Sequence, residues 1–178
     1  LTDLDDSFYP LLGYHVGLLS RSEIPLVCGL EQARPSLDDL KAFGAAFATT
    51  SAAPMFHIAG VTPEASTAEL AFGGHAPTQT LHITHAQLLS SWRELDSAPE
   101  PQVDLISLGN PHFSASEFAA LARLCRGKKR HPDVPMVITC GRDVLEKARR
   151  AGDIAVLETF GAQFVTGDGR PFQWRGIT

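Results

Sequence analysis

The sequence predicts an α/β domain in which helices flank a layered, mainly parallel β-sheet. First, five short apolar runs alternate with segments of helical pattern, as in strand–helix–strand units. Second, these runs are almost continuously apolar, which is typical of strands covered on both faces of a parallel sheet. The predicted strands are residues 24–30, 54–59, 103–108, 134–139 and 162–166.

Helix start signals stand between the predicted strands. Ser36, Thr84 and Ser114 each precede a helical pattern and are followed three residues later by Asp, Gln or Glu. In this capping-box spacing, the hydroxyl and the later side chain satisfy backbone N–H groups that the first helical turn leaves unpaired. Helices are therefore predicted to begin directly after these three residues, and Gly127 is predicted to stop the last of them.

The remaining segments have different patterns. A helix is predicted over residues 142–151, ended by Gly152, and an apolar helix is predicted within residues 6–19. Residues 62–80 are rich in Gly, Pro, Thr and Ala and have no strong period. They are predicted to form a long loop, and such loops in compact domains are often functional.

Size, composition and charge exclude several classes of protein. The chain has 178 residues, 44% hydrophobic and 20% charged, with a net charge of −5. These values fit one ordinary folded domain and exclude disorder of the whole chain. They also exclude a basic field for nucleic acid or an anionic membrane. Because no signal peptide or membrane-spanning apolar stretch is visible, a cytoplasmic location is expected.

The three cysteines are Cys28, Cys125 and Cys140, an odd number at wide spacings. This pattern matches neither a disulfide framework nor a metal knuckle, so reduced thiols are expected. Cys28 ends an apolar run, which favours core packing over a nucleophilic role. Cys140 stands beside a predicted helix start, where a thiol pKa can fall, but burial is the favoured interpretation.

Two loops place polar residues where ligands bind in parallel sheets, outside the carboxyl ends of the strands. The first follows the strand at residues 54–59. This strand carries His57, and the chain then turns at Gly60 and presents Thr62 and Glu64. These three side chains are candidates for binding or proton transfer.

The second loop follows the strand at residues 103–108. Its turn delivers Asn110, His112 and Ser114 to a predicted helix start. Free amides and the helix dipole there favour an anion such as a carboxylate or a phosphate. If both loops open at one edge of one sheet, their polar side chains converge on one small ligand.

Each candidate also has an ordinary structural interpretation. Ser114 is a helix cap in any case, and Asn110 with the following proline is a common turn initiator. Glu64 fits the first turn of a helix after Pro63, and His57 in an apolar strand fits a buried, satisfied histidine. The sequence contains no P-loop, dinucleotide fingerprint or nucleophile elbow that would indicate a different chemistry.

Four segments carry a resemblance to a known family. They are residues 8–14, 40–46, 57–65 and 109–114. Over about residues 6–166 the sequence resembles the aconitase X family of dehydratases. The resemblance implies an aconitase-like α/β fold and the elimination of water from a small hydroxy acid. Bacterial members of this family typically act on cis-3-hydroxy-L-proline, and archaeal members on mevalonate 5-phosphate.

The resemblance also implies a cofactor and a set of site residues. The family carries an iron–sulfur cluster or an iron centre held by cysteines. Iron would activate the leaving hydroxyl while a base removes the proton α to the carboxylate. On the matched motifs, the implied catalytic residues are His57, Glu64 and His112, and the implied substrate-binding residues are Thr62, Asn110 and Ser114. His112 and Ser114 would bind a carboxylate or support the cluster.

The sequence departs from the family after residue 166. The family continues there into an Asp-Thr-Cys segment, whereas residues 167–170 read Gly-Asp-Gly-Arg and no cysteine follows. A family region before Leu1 and the small swivelling domain are also missing. The expectation is a partial catalytic domain over residues 1–166 with an irregular tail over residues 167–178. Its partners would be the missing N-terminal part and the small domain or subunit.

These departures predict that the chain alone binds no iron or cluster and has no dehydratase activity, since no cysteine matches a family ligand. The alternative is a non-catalytic α/β module that binds a small anion or a partner through the same sheet edge. An unrelated phosphate-binding α/β protein, with its anion at residues 110–114, is a third interpretation.

Overall fold

The structure, a computed structural model, describes residues 5–167 of the chain. The chain forms two compact units, Leu1–Pro99 and Glu100–Thr178, called unit 1 and unit 2 below. Each unit has its own apolar core and its own parallel sheet. The predicted tail lies outside the described residues from residue 168 onward.

Unit 1 consists of helices around two short strands. Its elements are α1 (Phe8–Ser20), β1 (Leu26–Val27), α2 (Leu37–Thr50), β2 (His57–Ile58), a 3-10 turn (Pro63–Ala65), α3 (Ala68–Ala71) and α4 (His85–Leu95).

Helices α1 and α2 pack closely because α1 carries glycines at the contact. A Cβ on Gly13 would overlap the carbonyl oxygen of Phe43, and a Cβ on Gly17 would overlap the hydroxyl of Thr50. That hydroxyl donates a hydrogen bond of 2.8 Å to the carbonyl of Tyr14. Phe43 is fully buried at this contact, so the helix pair forms the centre of the unit 1 core.

The two strands of unit 1 pair in parallel. The His57 N–H donates to the Pro25 carbonyl, and the Ala59 N–H donates to the Val27 carbonyl, both at 2.9 Å. Ile58 lies between them and is fully buried against the helices. The pairing therefore aligns the loops that follow β1 and β2 at the same edge of this small sheet.

Helix α4 begins at a capping box on Thr84 and packs on α1. The Nδ1 atom of His15 lies 2.8 Å from the Ser91 hydroxyl, and the Tyr14 hydroxyl donates to Glu94 at 3.2 Å. His15 and Ser91 are both buried, so a polar contact lies inside the α1–α4 interface.

Unit 2 alternates strands and helices. Its elements are β3 (Ile106–Phe113), α5 (Ala115–Cys125), β4 (Met136–Cys140), α6 (Arg142–Ala151), α7 (Asp153–Phe160) and β5 (Ala162–Thr166). The strands pair in the order β3-β4-β5, and both pairings are parallel.

The core of unit 2 lies between β4 and the three helices. Met136, Ile138 and Cys140 point to the buried face of β4, while the residues between them are only half-buried. Phe118 from α5 and Leu157 from α7 are fully buried in the same cluster. The alternation shows that the helices cover one face of the sheet more completely than the other.

The basic run at residues 127–131 serves the fold of unit 2. The Lys129 ammonium donates to the Thr159 carbonyl at 2.6 Å, and the Arg130 N–H donates to the Phe160 carbonyl at 3.1 Å. The Arg130 guanidinium also donates to the Gly161 carbonyl at 3.1 Å. Cations at a helix C-terminus satisfy its last carbonyls and its dipole, so these charges stabilise the end of α7.

The structure confirms the fold class and most elements. Every predicted strand segment contains a strand, the observed pairings are parallel, and helices begin directly after the three predicted caps. Gly127 and Gly152 have positive φ angles of 73° and 86°, as expected at helix ends. Within the described residues, no helix is long and apolar enough to cross a membrane.

Three expectations were wrong in detail. The strands form two sheets, not one, because β1 and β2 pair only with each other. Strand β3 continues past its predicted end at Leu108 to Phe113, with an irregularity in between. Helix α7 was not predicted, because it has only eight residues and includes β-branched Ile154, Val156 and Thr159.

Residues 62–80 are largely loop, as predicted, with two short helical turns.

Candidate active site

The turn after β2 is closed by Thr62. Its hydroxyl accepts the Ile58 N–H at 3.1 Å and lies 3.2 Å from the Ile58 carbonyl, to which it donates. The Thr62 N–H donates to the same carbonyl at 3.0 Å, and the Gly60 N–H donates to the Ala65 carbonyl at 2.8 Å. Gly60 has a φ of 69°, which favours glycine. Thr62 is therefore bonded to the backbone that shapes this loop.

His57 and Glu64 flank this turn in different environments. His57 is half-buried on β2, and its Nδ1 atom is buried without a hydrogen-bond partner in the described part of the chain. The expectation of a buried, satisfied histidine is thus wrong for this atom. Glu64 is exposed on the 3-10 turn and is open to solvent. Imidazole and carboxylate groups are types of side chain that can exchange protons with a ligand.

Sequence reasoning missed the loop after β1. Both carboxylate oxygens of Glu31 accept the Gly29 N–H at 3.0 Å, and this bond holds the Glu31 pKa below its ordinary value. The Glu31 Cγ lies 3.2 Å from the position that a Cβ on Gly60 would occupy. Glu31 thus connects the loops that follow β1 and β2. A glycine at the end of the apolar run and a carboxylate two residues later are the signals that could have indicated this arrangement.

Cys28 occupies the same edge and is exposed, which corrects the expectation that it packs in the core. The reason is that β1 ends at Val27, so Cys28 already belongs to the loop. Partial burial, followed by the charge of Glu31, raises the pKa of the Cys28 thiol. At neutral pH this thiol is therefore protonated.

The second loop is part of β3. Gly109 has a φ of 95°, and a Cβ there would overlap the carbonyl oxygen of Thr139 on β4. Asn110 and His112 are exposed beyond this close approach, and Phe113 returns to pair with Cys140. The pairing with β4 is interrupted between Leu108 and Phe113, and two polar side chains are exposed in this interval.

Ser114 caps α5, as predicted. Its hydroxyl accepts the Glu117 N–H at 3.1 Å, its own N–H donates to the Glu117 carboxylate at 2.6 Å, and its hydroxyl lies 2.9 Å from that of Ser116. The Glu117 carboxylate thus places a negative charge at the helix N-terminus. This charge weakens the expectation that a phosphate binds there.

The six predicted site residues lie on or shortly after strands in two units. His57 lies on β2 in unit 1, and Thr62 and Glu64 follow this strand. Asn110 and His112 lie within β3 in unit 2, and Ser114 follows it. The premise that both loops open at one edge of one sheet was wrong, because the two strands belong to separate sheets.

The other two thiols are core residues. Cys125 and Cys140 are buried in the unit 2 cluster, as expected for Cys140. Burial raises the pKa of both thiols, with Lys128 opposing this effect at Cys125. Among residues 5–167, no three His, Cys, Asp or Glu side chains are grouped as ligands of a metal ion. These thiols do not fit the thiolate set of an iron–sulfur cluster.

Comparison with known proteins identifies the family of this chain. Residues 1–93 match the second domain of aconitase X, and residues 103–168 match its third domain. The chain belongs to the aconitase X family. The two matched regions correspond to units 1 and 2, so the division at Pro99 and Glu100 separates two recognised domains of this family.

Dehydratases are among the relatives of this aconitase X chain. Cis-3-hydroxy-L-proline dehydratase of Pseudomonas aeruginosa is 56% identical over 166 residues, which cover 93% of this chain and 29% of the relative. The phosphomevalonate dehydratase large subunit of Methanocaldococcus jannaschii is 29% identical over 160 residues, which cover 90% of this chain and 38% of the relative. The chain therefore spans only part of the curated relatives that it matches.

A solved structure supports the same relation. The crystal structure of Thermococcus kodakaraensis aconitase X in its holo-form superposes with a TM-score of 0.75 at 27% sequence identity. The match covers 91% of this chain and 40% of that chain. The parallel sheets flanked by helices are therefore those of the aconitase X fold.

Proposed function

We propose that this chain forms the second and third domains of a dehydratase that removes water from a small hydroxy acid. The observation that carries the proposal is the 56% identity to the Pseudomonas aeruginosa cis-3-hydroxy-L-proline dehydratase over 93% of the chain. The polar strand-end loops of both units agree with it, since ligands of parallel sheets bind at this position.

Cis-3-hydroxy-L-proline is the preferred substrate in this proposal. The identity to the phosphomevalonate dehydratase large subunit of Methanocaldococcus jannaschii is 29%, about half of that to the hydroxyproline enzyme.

The proposed catalytic residues are chosen by what the elimination of water requires. Elimination of water needs a base for the proton next to the carboxylate and a proton donor for the leaving hydroxyl. His57, Glu64 and His112 are the proposed catalytic residues, since each carries a group that can hold or release a proton. No individual step is assigned to any of them.

Asn110, Thr62 and Ser114 are the proposed substrate-binding residues. Asn110 is exposed and offers an amide that can donate to a carboxylate. The hydroxyls of Thr62 and Ser114 are bonded to backbone groups, so their contribution to binding is the shape of the two loops.

Iron chemistry, in this proposal, is supplied by parts of the full-length enzyme outside this chain. The buried thiols of Cys125 and Cys140 do not fit a ligand set, and Cys28 supplies a single exposed thiol in the other unit. The proposal therefore includes a further part of the polypeptide and a small domain as partners. It also states that the isolated chain has no dehydratase activity and holds no cluster.

A chimeric enzyme tests the activity. This chain would replace the matching region of the Pseudomonas aeruginosa enzyme, and water elimination would be followed by NMR with cis-3-hydroxy-L-proline and with phosphomevalonate. We expect turnover of the first substrate to exceed that of the second by at least about tenfold, or 1.4 kcal/mol of transition-state stabilisation. A chimera that folds but turns over neither substrate contradicts the proposal.

Anaerobic reconstitution with iron and sulfide tests the cofactor assignment. The isolated chain should show no absorbance from thiolate-to-iron bands, while the chimera should. Robust bands in the isolated chain would show that its own thiols hold a cluster, and the assignment would then be wrong.

A further inference from the structure

The backbone pairing of β1 and β2 ends where the two loops of unit 1 begin. The His57 and Ala59 N–H groups donate to the carbonyls of Pro25 and Val27, both at 2.9 Å. Alternate residues of a parallel strand turn their backbone polar groups towards the partner strand, so Gly29 is the next residue in this series. Its N–H does not continue the ladder, because it is already bonded within its own loop.

The acceptor of the Gly29 N–H is the side chain of Glu31. Both carboxylate oxygens of Glu31 lie 3.0 Å from this nitrogen. A hydrogen bond to an ionised carboxylate is stronger than one between neutral groups. The Glu31 side chain is therefore held at the loop, although it is exposed to solvent.

The stem of the Glu31 side chain packs on Gly60. The Cγ and Cβ atoms of Glu31 lie 3.2 Å and 3.4 Å from the position that a Cβ on Gly60 would occupy. Gly60 is the residue at which the chain turns away from β2, and its N–H donates to the Ala65 carbonyl at 2.8 Å. The Glu31 stem thus lies against the start of the turn that carries Thr62 and Glu64.

This turn is bonded internally and can move as one piece. The Thr62 hydroxyl and the Thr62 N–H both bond to backbone groups of Ile58. Among residues 5–167, no backbone hydrogen bond joins residues 28–36 to residues 60–66. The Glu31 side chain therefore continues the connection between the two loops beyond the end of the ladder.

We propose that Glu31 is a positioning residue of the dehydratase site in unit 1. Through its bond to Gly29 and its packing on Gly60, Glu31 holds the turn with Thr62 and Glu64 in place relative to His57. It acts through Gly60 and exchanges no proton in the reaction. This inference rests on the proposed function, because it concerns the geometry of the same site.

Variants of the chimeric enzyme test the role. Glu31→Ala removes the acceptor and the stem and should lower kcat at least about tenfold, because misplaced catalytic groups lose rate steeply. Glu31→Gln keeps an acceptor oxygen and the stem and should retain most of the turnover. Glu23→Ala is the control, since it removes another exposed carboxylate of unit 1, located before β1, and should leave kcat unchanged.

Two results would overturn the role. If Glu31→Gln is as inactive as Glu31→Ala, the carboxyl group itself takes part in proton transfer and is not a positioning group. If Glu31→Ala has the kcat of the unaltered chimera, the contact with Gly60 does not position the site.

Amide hydrogen exchange in this chain, followed by NMR, tests the contact without turnover. In Glu31→Ala the Gly60 and Thr62 N–H groups should exchange at least about tenfold faster, because a hydrogen bond to a charged group is lost and the turn opens more often. Amides of helix α2, such as that of Phe47, should exchange at unchanged rates. Unchanged exchange at Gly60, or equally faster exchange throughout α2, would contradict a specific hold on the turn.

Failure of this proposal and failure of the proposed function are distinguishable. If the unaltered chimera is inactive while Glu31→Ala speeds exchange at Gly60, Glu31 still holds the turn and the proposed reaction is wrong. If the unaltered chimera is active and Glu31→Ala changes neither kcat nor exchange, the reaction stands and the role of Glu31 is wrong.

Discussion

The hydroxyl of Thr62 shows how one side chain shapes a functional loop. It bonds to both the N–H and the carbonyl of Ile58 and so closes the turn that presents Glu64. Because Ile58 is fully buried, its backbone groups have poor access to water. A residue chosen from the sequence as a substrate ligand is thus also a structural part of the site.

Replacement of Thr62 by Val should lower the free energy of unfolding by about 1–3 kcal/mol, because the Ile58 N–H would lose its partner. Thr62→Ser retains the hydroxyl and should cost less. Urea denaturation followed by circular dichroism measures both. Equal midpoints for the Val and Ser variants would show that the hydroxyl does not stabilise the turn.

His15 makes the stability of unit 1 depend on pH. Burial lowers the His15 pKa below its ordinary value of 6.5, so the folded state favours the neutral ring. The unfolded chain binds the proton more readily, and folding is therefore penalised as pH falls. The contribution is complete above about pH 6.5 and is lost as pH falls from there through the lowered pKa.

We therefore expect the temperature of the thermal midpoint to decrease as the pH is lowered from 7 to 5. The decrease should be smaller in the His15→Gln variant, because glutamine does not titrate. Calorimetry at several pH values measures this difference. If the two proteins show parallel pH profiles, protonation of His15 does not control the α1–α4 contact.

At the scale of the element, the α1–α2 pair depends on close approach. Gly13 and Gly17 face the backbone and the Thr50 hydroxyl of α2, with no space for a Cβ. Gly13→Ala should lower the free energy of unfolding by about 1–3 kcal/mol, the usual cost of overpacking. This loss of stability is expected even though alanine has a higher helix propensity than glycine. Gly167→Ala is the control, because Gly167 lies outside the helices and a Cβ there meets only the His112 ring at 3.7 Å. A Gly13→Ala chain as stable as the control would contradict the contact.

Ser114 stabilises α5 as its helix cap, in addition to its proposed role at the site. Ser114→Ala should cost about 1 kcal/mol of stability, since the Glu117 N–H loses its acceptor. Ser114→Asp keeps the cap and should be close to the unaltered chain in stability. If Ser114→Ala unfolds at the same urea concentration as the unaltered chain, the cap does not stabilise α5.

At the scale of the whole molecule, residues 96–105 separate the two units. All ten are exposed, and the segment contains two prolines. Exposed segments without regular structure are preferred sites of proteolysis. Brief digestion with thermolysin should therefore cut before Val103 or Leu105 and leave two resistant fragments, which intact mass measures. Early cuts within α1, α5 or β4 would contradict the division into two compact units.

Much of the fold could be predicted because its signals are local. The apolar run at residues 162–166 became β5 with the same bounds, and the capping residues Ser36, Thr84 and Ser114 became helix starts. Helix α7 could not be predicted in this way. Its eight residues include three β-branched side chains, and tertiary packing of Ile154 and Leu157 stabilises it.

The site residues remain a prediction, and only part of their placement agrees with the sequence spacing. His57 lies on a strand with Thr62 and Glu64 after it, as predicted. Asn110 and His112 lie within β3, and not after it as the sequence spacing predicted.

The sequence spacing did not show that the Thr62 and Ser114 hydroxyls bond to backbone, or that Cys28 is exposed beside Glu31. Those properties depend on neighbours that only the folded chain brings together.

Hydrophobic periodicity and helix caps were readable in the sequence because they arise between residues a few positions apart. The α/β class and most of the order of strands and helices therefore needed no coordinates, whereas α7 did. The division into two sheets, the contact of Gly13 with Phe43 and the packing of Glu31 on Gly60 appeared only in the tertiary structure. They depend on which distant segments pack together, and that choice follows from the free energy of burying surfaces across the whole chain.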